Sequence, residues 1–348
     1  MSSRKREQIV SLELEEISTP ALIVDMPSFE FNLDLMAISL GDKLRPHVKA
    51  HKSSQIVSDQ IKHGSTKFTA ATLKEAIALT RVDGVKSVLL ANETLNEVKL
   101  FELAGSGSIK EVEVIVAVDS AETIEVAKKA GISNVLIDVD VGLPRCGCNA
   151  DDANDLAQLA RSKGLNVKGV MGYEGHAVGL EDRQVRTSEV LKSMEILKRV
   201  HESVGGELIS AGATGSFDIN LAANDIQAGS YVFMDGAYSK LDLGFKQALY
   251  VLSTVISVSK SGWAVCDAGL KAFGMDHGNP FVEGFDLWFC SDEHTTFSSK
   301  SADGFPKVGD LVKMYPAHID PTIAYHDQYF MINDNKVVST YKIDMRGW

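Results

Sequence analysis

The chain has 348 residues, 45% hydrophobic and 24% charged, the composition of a folded protein with a sizeable core rather than a disordered or fibrous one. Its 35 Lys+Arg against 47 Asp+Glu give a formal net charge of -12, which opposes phosphate-backbone binding and excludes nucleic acid as an expected partner. Met1–Glu16 has no apolar core of signal-peptide length, no later run approaches a membrane span, and four cysteines are too few for a disulfide framework, so a cytoplasmic protein with no membrane partner is expected.

In chain order, Ala21–Asp25 reads as a strand that pairs outside the main repeat, and Ser28–Ser39 as a helix. From residue 44 to 235, short apolar or β-branched runs alternate with segments of helical period. The candidate strands are Leu44–Ala50, Lys67–Ala71, Ser87–Ala91, Glu113–Val118, Asn134–Val141, Lys168–Tyr173, Leu208–Thr214 and Gln227–Asp235. Between them, segments such as Ala121–Ala130 and Ala150–Lys163 carry apolar residues three and four apart and stop at Gly131 and Gly164. This pattern predicts an α/β fold, a (β/α)8 barrel of the TIM type.

After residue 246 the period changes. Leu249–Val258, Gly262–Asp267, Phe285–Cys290, Asp310–Tyr315, Gln328–Ile332 and Lys336–Ile343 read as strands with little helix between. The expected organisation is a barrel over 20–244 and a C-terminal β-rich domain over 245–348, with residues 1–19 packed on the latter.

Within the first candidate strand, a two-residue period puts His47, Lys49 and His51 on one face. Taken alone, that face is equally a solvated basic strand end. Barrel active sites form at the C-terminal ends of the strands, where this sequence places Thr72, Arg145, Tyr173, His176, Thr214, Ser230 and Tyr231. The turns Gly212-Ala213-Thr214-Gly215-Ser216 and Gly229-Ser230 lie where barrels hold a phosphate on backbone N–H groups and hydroxyls. A phosphate cradle opposite an inward lysine points to a phosphorylated aldehyde cofactor linked to that amine as a Schiff base. Near the C-terminus, His318-Ile319-Asp320 on an extended segment aims an imidazole and a carboxylate the same way, a pair suited to Zn²⁺, Mn²⁺ or Mg²⁺, and Pro321 ends the extension.

These residues resemble the D-threonine aldolase and D-serine dehydratase family of alanine-racemase-like, fold-type III pyridoxal-phosphate enzymes. The resemblance runs nearly the whole chain: Thr19-Pro20-Ala21-Leu22-Ile23-Val24-Asp25, Arg45-Pro46-His47-Val48-Lys49-Ala50-His51-Lys52, Gly142-Leu143-Pro144-Arg145-Cys146-Gly147, Tyr173-Glu174-Gly175-His176, Gly212-Ala213-Thr214-Gly215, Gln227 to Asp235, Asp276-His277-Gly278 and His318-Ile319-Asp320-Pro321-Thr322. It implies that Lys49 carries pyridoxal 5'-phosphate, that Arg145 lies by the cofactor's phenolic oxygen, and that the glycine-rich turns hold its phosphate. It implies a divalent metal on His318 and Asp320, where aldolase members have Asp and dehydratase members tend to have Cys. The implied reaction is metal-assisted retro-aldol cleavage of a D-3-hydroxy-amino acid by a homodimer, with His47, His51 or a metal-bound hydroxide as base. The alternatives are a D-serine-type dehydratase giving a keto acid and ammonia, and a cofactor-carrying barrel without turnover.

Overall fold

The alternating pattern of β-branched runs and amphipathic segments folds as two sheets. The computed structural model describes residues 12–299 and 304–348, so residues 1–11 of the expected N-terminal packing lie outside the described residues. The strands are β1 (Ala21–Asp25), β2 (Lys67–Ala70), β3 (Ser87–Leu90), β4 (Glu113–Val118), β5 (Asn134–Asp138), β6 (Asn166–Met171), β7 (Leu208–Ala211), β8 (Asp225–Ile226), β9 (Leu249–Val258), β10 (Ala264–Cys266), β11 (Phe281–Val282), β12 (Phe285–Cys290), β13 (Thr295–Ser299), β14 (Leu311–Tyr315), β15 (Gln328–Asn333) and β16 (Lys336–Lys342). The helices are α1 (Met26–Leu40), α2 (Ser54–Lys62), α3 (Leu73–Leu79), α4 (Glu97–Lys110), α5 (Ala121–Lys129), α6 (Ala153–Ser162), α7 (Arg183–Val204) and α8 (Ile319–Ala324). None of them is long and apolar enough to cross a membrane.

Strands β2 to β8 pair in parallel and in sequence order. Residues 44–47 close the ring as an eighth stave. On one side the Arg45 N–H donates to the Ile226 carbonyl (2.8 Å) and the His47 N–H to the Ala228 carbonyl (3.0 Å); on the other, the Thr69 N–H donates to the Pro46 carbonyl (2.9 Å). The (β/α)8 barrel is thus formed, with six of its eight staves shorter than expected. The expected strand Leu44–Ala50 ends at His47, because Val48–Ala50 wind into a 3-10 turn. The expected strand Gln227–Asp235 is replaced by Asp225–Ile226 and a 3-10 turn at Ser230–Val232. Gly229 allows the two turns to meet, since a Cβ there would lie 2.8 Å from the His47 carbonyl oxygen.

Alternation along the staves separates two apolar layers. Leu89, Ile115, Ala117, Leu136 and Met171 form one buried cluster, while their neighbours Val88, Leu90, Val114, Val116, Val135 and Ile137 belong to the larger core shared with the helices. At the N-terminal end of the staves, Asp225 is buried between Arg45 (Nε to Oδ2, 2.7 Å) and Lys67 (Nζ to Oδ1, 2.6 Å). Arg45 also donates to Ser87 Oγ (3.1 Å), which donates to Glu113 (3.0 Å), which in turn pairs with Lys168 (2.9 Å). This charged floor leaves the opposite end of the barrel for the site.

The second sheet runs β12-β13-β10-β9-β1-β15-β16, with β14 paired to β9 and β11. Strand β1 therefore sits outside the barrel, antiparallel to β9 and parallel to β15. Strands β11 and β13 are additional to those expected. The sheet is stitched to the barrel after β8: the Gly236 N–H donates to the Pro316 carbonyl (3.0 Å) and the Ala237 N–H to the Ala317 carbonyl (3.1 Å). His318 is extended (φ -138°, ψ 122°), but the helix α8 begins at Ile319. Pro321 thus lies in the first turn of a helix, where its missing N–H costs nothing, rather than ending an extended segment.

Candidate active site

A cavity of about 290 Å³ opens at the C-terminal end of the barrel strands, lined by His47, Lys49, Arg145, Tyr173, Thr214, Gly229 and Ser230 together with Asn92, Gln227 and Tyr238. The 3-10 turn aims the lysine. Val48 and Ala50 are both fully buried, so their anchoring turns Lys49 between them to the cavity side. Its Nζ stands 3.3 Å from Asp320 Oδ2, across from the barrel on the α8 turn. The Asp320 carboxylate beside it raises the lysine's pKa above its usual value, more than burial lowers it.

Arg145 stacks over the Tyr173 ring at 5.1 Å and makes no ion pair among the described residues. A free guanidinium at the cavity wall suits an anionic oxygen. The main-chain N–H groups of Thr214, Gly229 and Ser230, which line the cavity, and of Gly215 just behind Thr214 find no protein acceptor among the described residues. Free amides of this kind suit a phosphate. The Gly212–Ser216 loop is held from behind by the buried Glu174, which accepts from the Gly212 N–H (3.2 Å), Ser216 Oγ (2.7 Å) and Asn220 Nδ2 (3.2 Å). Gly215 has no room for a side chain, since a Cβ would lie 1.9 Å from the Val178 carbonyl oxygen. An amine, a guanidinium and a nest of amides around one cavity fit a phosphorylated aldehyde.

Several expected site residues lie elsewhere. Thr72 caps α3, its Oγ1 accepting the Glu75 N–H (3.2 Å). Ser216 and Gly215 shape the loop from outside the cavity, and Tyr231 turns its ring into the core, where its hydroxyl accepts from Gln60 (3.0 Å) while its N–H donates to Thr214 Oγ1 (2.9 Å). His176 is exposed and lies against Gly142 rather than in the cavity. His51 is fully buried behind the turn, outside the cavity, because the strand that would have placed it beside Lys49 has already coiled. Its Nδ1 accepts the Ser53 N–H (3.2 Å), and burial lowers its pKa to about 3. His47 does reach the cavity. Burial first, then the nearby Lys49 and Lys52 charges, push its pKa far down, and its Nδ1 faces the Lys49 N–H at 3.4 Å.

Sequence reasoning missed Asn92, Gln227, Tyr238 and Glu174 as site-building residues, and also two neighbours of His318. Asp276, His277 and His318 bring potential ligand atoms within 4.8 Å of one another. His318 Nε2 faces Asp320 Oδ1 at 4.0 Å, and that oxygen is buried without a hydrogen-bond partner. A buried carboxylate oxygen left unpaired beside an imidazole nitrogen is costly unless something binds there, which fits a divalent cation. The turn is set by Asp235, whose Oδ2 accepts the Ile319 N–H (3.3 Å).

Comparison with known proteins agrees with this geometry. The alanine racemase N-terminal domain family matches residues 24–236, and a serine dehydratase domain family matches residues 248–332. The chain is 34% identical to the 3-hydroxy-D-aspartate aldolase of Paracoccus denitrificans (strain Pd 1222), over 97% of this chain and 94% of that protein. It is 31% identical to the D-threonine aldolase of an Arthrobacter species, over 96% and 94% of the two chains. The crystal structure of D-threonine aldolase from Filomicrobium marinum superposes with a TM-score of 0.90 at 29% identity, covering 99% of both chains. The chain belongs to the D-threonine aldolase and D-serine dehydratase family of fold-type III pyridoxal-phosphate enzymes.

Proposed function

We propose that this protein is a carbon–carbon lyase that cleaves a D-3-hydroxy-amino acid, D-threonine-like or 3-hydroxyaspartate-like, to glycine and an aldehyde. The observation that carries the reading is the Lys49–Asp320 contact at 3.3 Å, which sets the cavity's lysine amine beside a carboxylate whose other oxygen is free. Lys49 would hold pyridoxal 5'-phosphate, with Arg145 at its phenolic oxygen and the amides of Thr214, Gly215, Gly229 and Ser230 on its phosphate. The cofactor, when bound, supplies the sink for the electron pair released as the Cα–Cβ bond breaks. His318 and Asp320 would hold Mn²⁺, Zn²⁺ or Mg²⁺, which supplies Lewis acidity to the substrate's β-hydroxyl.

Cleavage requires the β-hydroxyl to lose a proton as the aldehyde carbonyl forms, and Cα to gain one. His51 is shut away in the core, and His47, with Nδ1 turned to a backbone N–H, would carry its proton on Nε2 and serve as a donor. Asp320 would take the hydroxyl proton on Oδ2, its Oδ1 being the oxygen offered to the metal, and Lys49 would return a proton to Cα. Asp320 in place of a thiol favours the aldolase over the dehydratase. A cytoplasmic homodimer, with the β-rich domain of one subunit facing the barrel of the other, belongs to the same reading.

The test is incubation of cofactor- and metal-loaded protein with D-threonine, D-3-hydroxyaspartate and D-serine, with glycine, aldehyde and keto acid assayed. Glycine plus aldehyde, lost in Lys49→Ala and Asp320→Ala, is the expected result. Keto acid plus ammonia instead identifies a dehydratase, and a lysine-bound cofactor without turnover identifies a carrier.

A further inference from the structure

We propose that Asp276 is a positioning residue for the metal site: it fixes the ring of His318 through Nδ1 so that Nε2 is presented toward Asp320. The inference rests on the metal site proposed above and concerns a residue 42 positions away in sequence.

His318 Nδ1 and Asp276 Oδ2 are 2.6 Å apart. Two donors bound to one ion at right angles through bonds of about 2.1 Å would stand about 3 Å apart. The observed separation is that of a charge-assisted hydrogen bond, so Nδ1–H donates to the carboxylate and Asp276 is not itself a ligand through this oxygen. With Nδ1 occupied, the lone pair of the neutral imidazole lies on Nε2, the nitrogen that faces the unpartnered Asp320 Oδ1 at 4.0 Å. Ligating histidines held in this way by a carboxylate have a fixed tautomer and a more basic donor nitrogen.

The contact is built into the fold rather than left to a mobile loop. Gly274 forms an isolated bridge with His318, and its N–H donates to Thr322 Oγ1 (3.0 Å), which in turn donates to the His318 carbonyl (2.7 Å). A Cβ on Gly274 would lie 2.2 Å from Pro321 Cγ, so the 274–277 segment is pressed against the ligand-bearing turn. His277 stacks flat on the His318 ring, with centroids 4.1 Å apart and planes 4° apart. Stacked imidazoles point their nitrogens alongside rather than at each other, so His277 braces the ring and is not a third ligand.

The experiment is a Mn²⁺ titration of the cofactor-loaded protein against a competing chelator, for the wild type, Asp276→Ala, Asp276→Asn, His277→Ala, and the ligand variants His318→Ala and Asp320→Ala. Asp276→Ala is expected to weaken Mn²⁺ binding by about 10–100-fold, with the lysine-bound cofactor spectrum and thermal midpoint unchanged. Asp276→Asn, which keeps an acceptor for Nδ1–H, is expected to recover most of the affinity, and His277→Ala to stay within about 3-fold of wild type. Wild-type affinity in Asp276→Ala, with binding lost in His318→Ala and Asp320→Ala, overturns the positioning role while leaving the metal site in place. Loss in His277→Ala as deep as in His318→Ala assigns His277 as a ligand and overturns the proposal, and undiminished binding in His318→Ala and Asp320→Ala removes the site on which it stands.

Discussion

Lys49 Nζ and Asp320 Oδ2 meet at 3.3 Å although one follows the first stave of the barrel and the other begins a helix beyond β14. A contact spanning 271 positions ties the amine to the carboxylate whose remaining oxygen has no partner. Removing Asp320 should therefore spare cofactor attachment and remove the step at the β-hydroxyl. Asp320→Ala is expected to lose at least about 10²–10⁴ in kcat, because it removes both a proton acceptor and a proposed metal ligand, with borohydride still trapping the cofactor on Lys49. Lys49→Ala should lose that trapping altogether. The two variants are separated by peptide mass after reduction.

Glu174 is fully buried behind the Gly212–Ser216 loop and collects three donors. Glu174→Ala leaves those donors unpaired, each costing about 1–3 kcal/mol when buried, although partial relaxation makes about 2–4 kcal/mol the expected total. Because the Gly212–Ser216 loop also supplies cavity-lining amides, weaker cofactor retention should accompany the lower stability. Urea unfolding and dialysis against buffer lacking cofactor measure the two effects. Normal cofactor retention with lowered stability would confine Glu174 to the fold.

Much of this architecture was legible because it rests on local period. Strands β4, β9 and β12 match their expected bounds, and Lys49, Arg145, Thr214, Gly229 and Ser230 do line one cavity. What escaped was set by contacts distant in sequence. The 3-10 turn at Val48–Ala50 depends on Gly229 meeting the His47 carbonyl, which no strand propensity encodes. His51 was misplaced by that same turn. Asp276 and Glu174 were visible in sequence but carried no role until the fold set them beside His318 and the 212–216 loop. Strand β13, Thr295–Ser299, has a single large apolar residue and is recognisable only by its pairing with β10 and β12.

The charged floor of the barrel gives a pH-dependent prediction. Burial alone would raise the Asp225 carboxyl, but Arg45 and Lys67, joined by the Ser210 hydroxyl, hold it below the usual carboxylate value. A carboxyl with a lower pKa in the folded state stabilises fully above its unfolded value, near ~3.9, and loses that stabilisation as pH falls through the folded value. Asp225→Ala leaves Arg45, only 2% exposed, without its charge partner. The expected cost at pH 7 is about 3–5 kcal/mol. In urea unfolding, the gap between variant and wild type should narrow below about pH 4. A gap independent of pH would mean that packing, not the ion pair, makes the contribution.

His47 gives the opposite kind of test, because its chemistry is defined by refusing a proton. Burial, then the charges of Lys49 and Lys52, hold its pKa far below the usual histidine value. The unfolded chain takes up a proton near pH 6.5 that the folded chain excludes, so this group's contribution to stability is complete above that pH and declines as pH falls below it. In the folded protein the ring stays neutral across the working range, with Nδ1 toward the Lys49 N–H and the proton on Nε2. The midpoint of its NMR titration should therefore lie well below the usual histidine value. His47→Gln, which keeps an acceptor and a donor without a titrating ring, is expected to lose less than about 10² in kcat/KM, short of the ~10²–10⁴ range for a general base. Its profile against pH should keep the wild-type shape. Disappearance of an inflection from that profile would make His47 the base, and would require its ring to turn away from the backbone N–H during turnover.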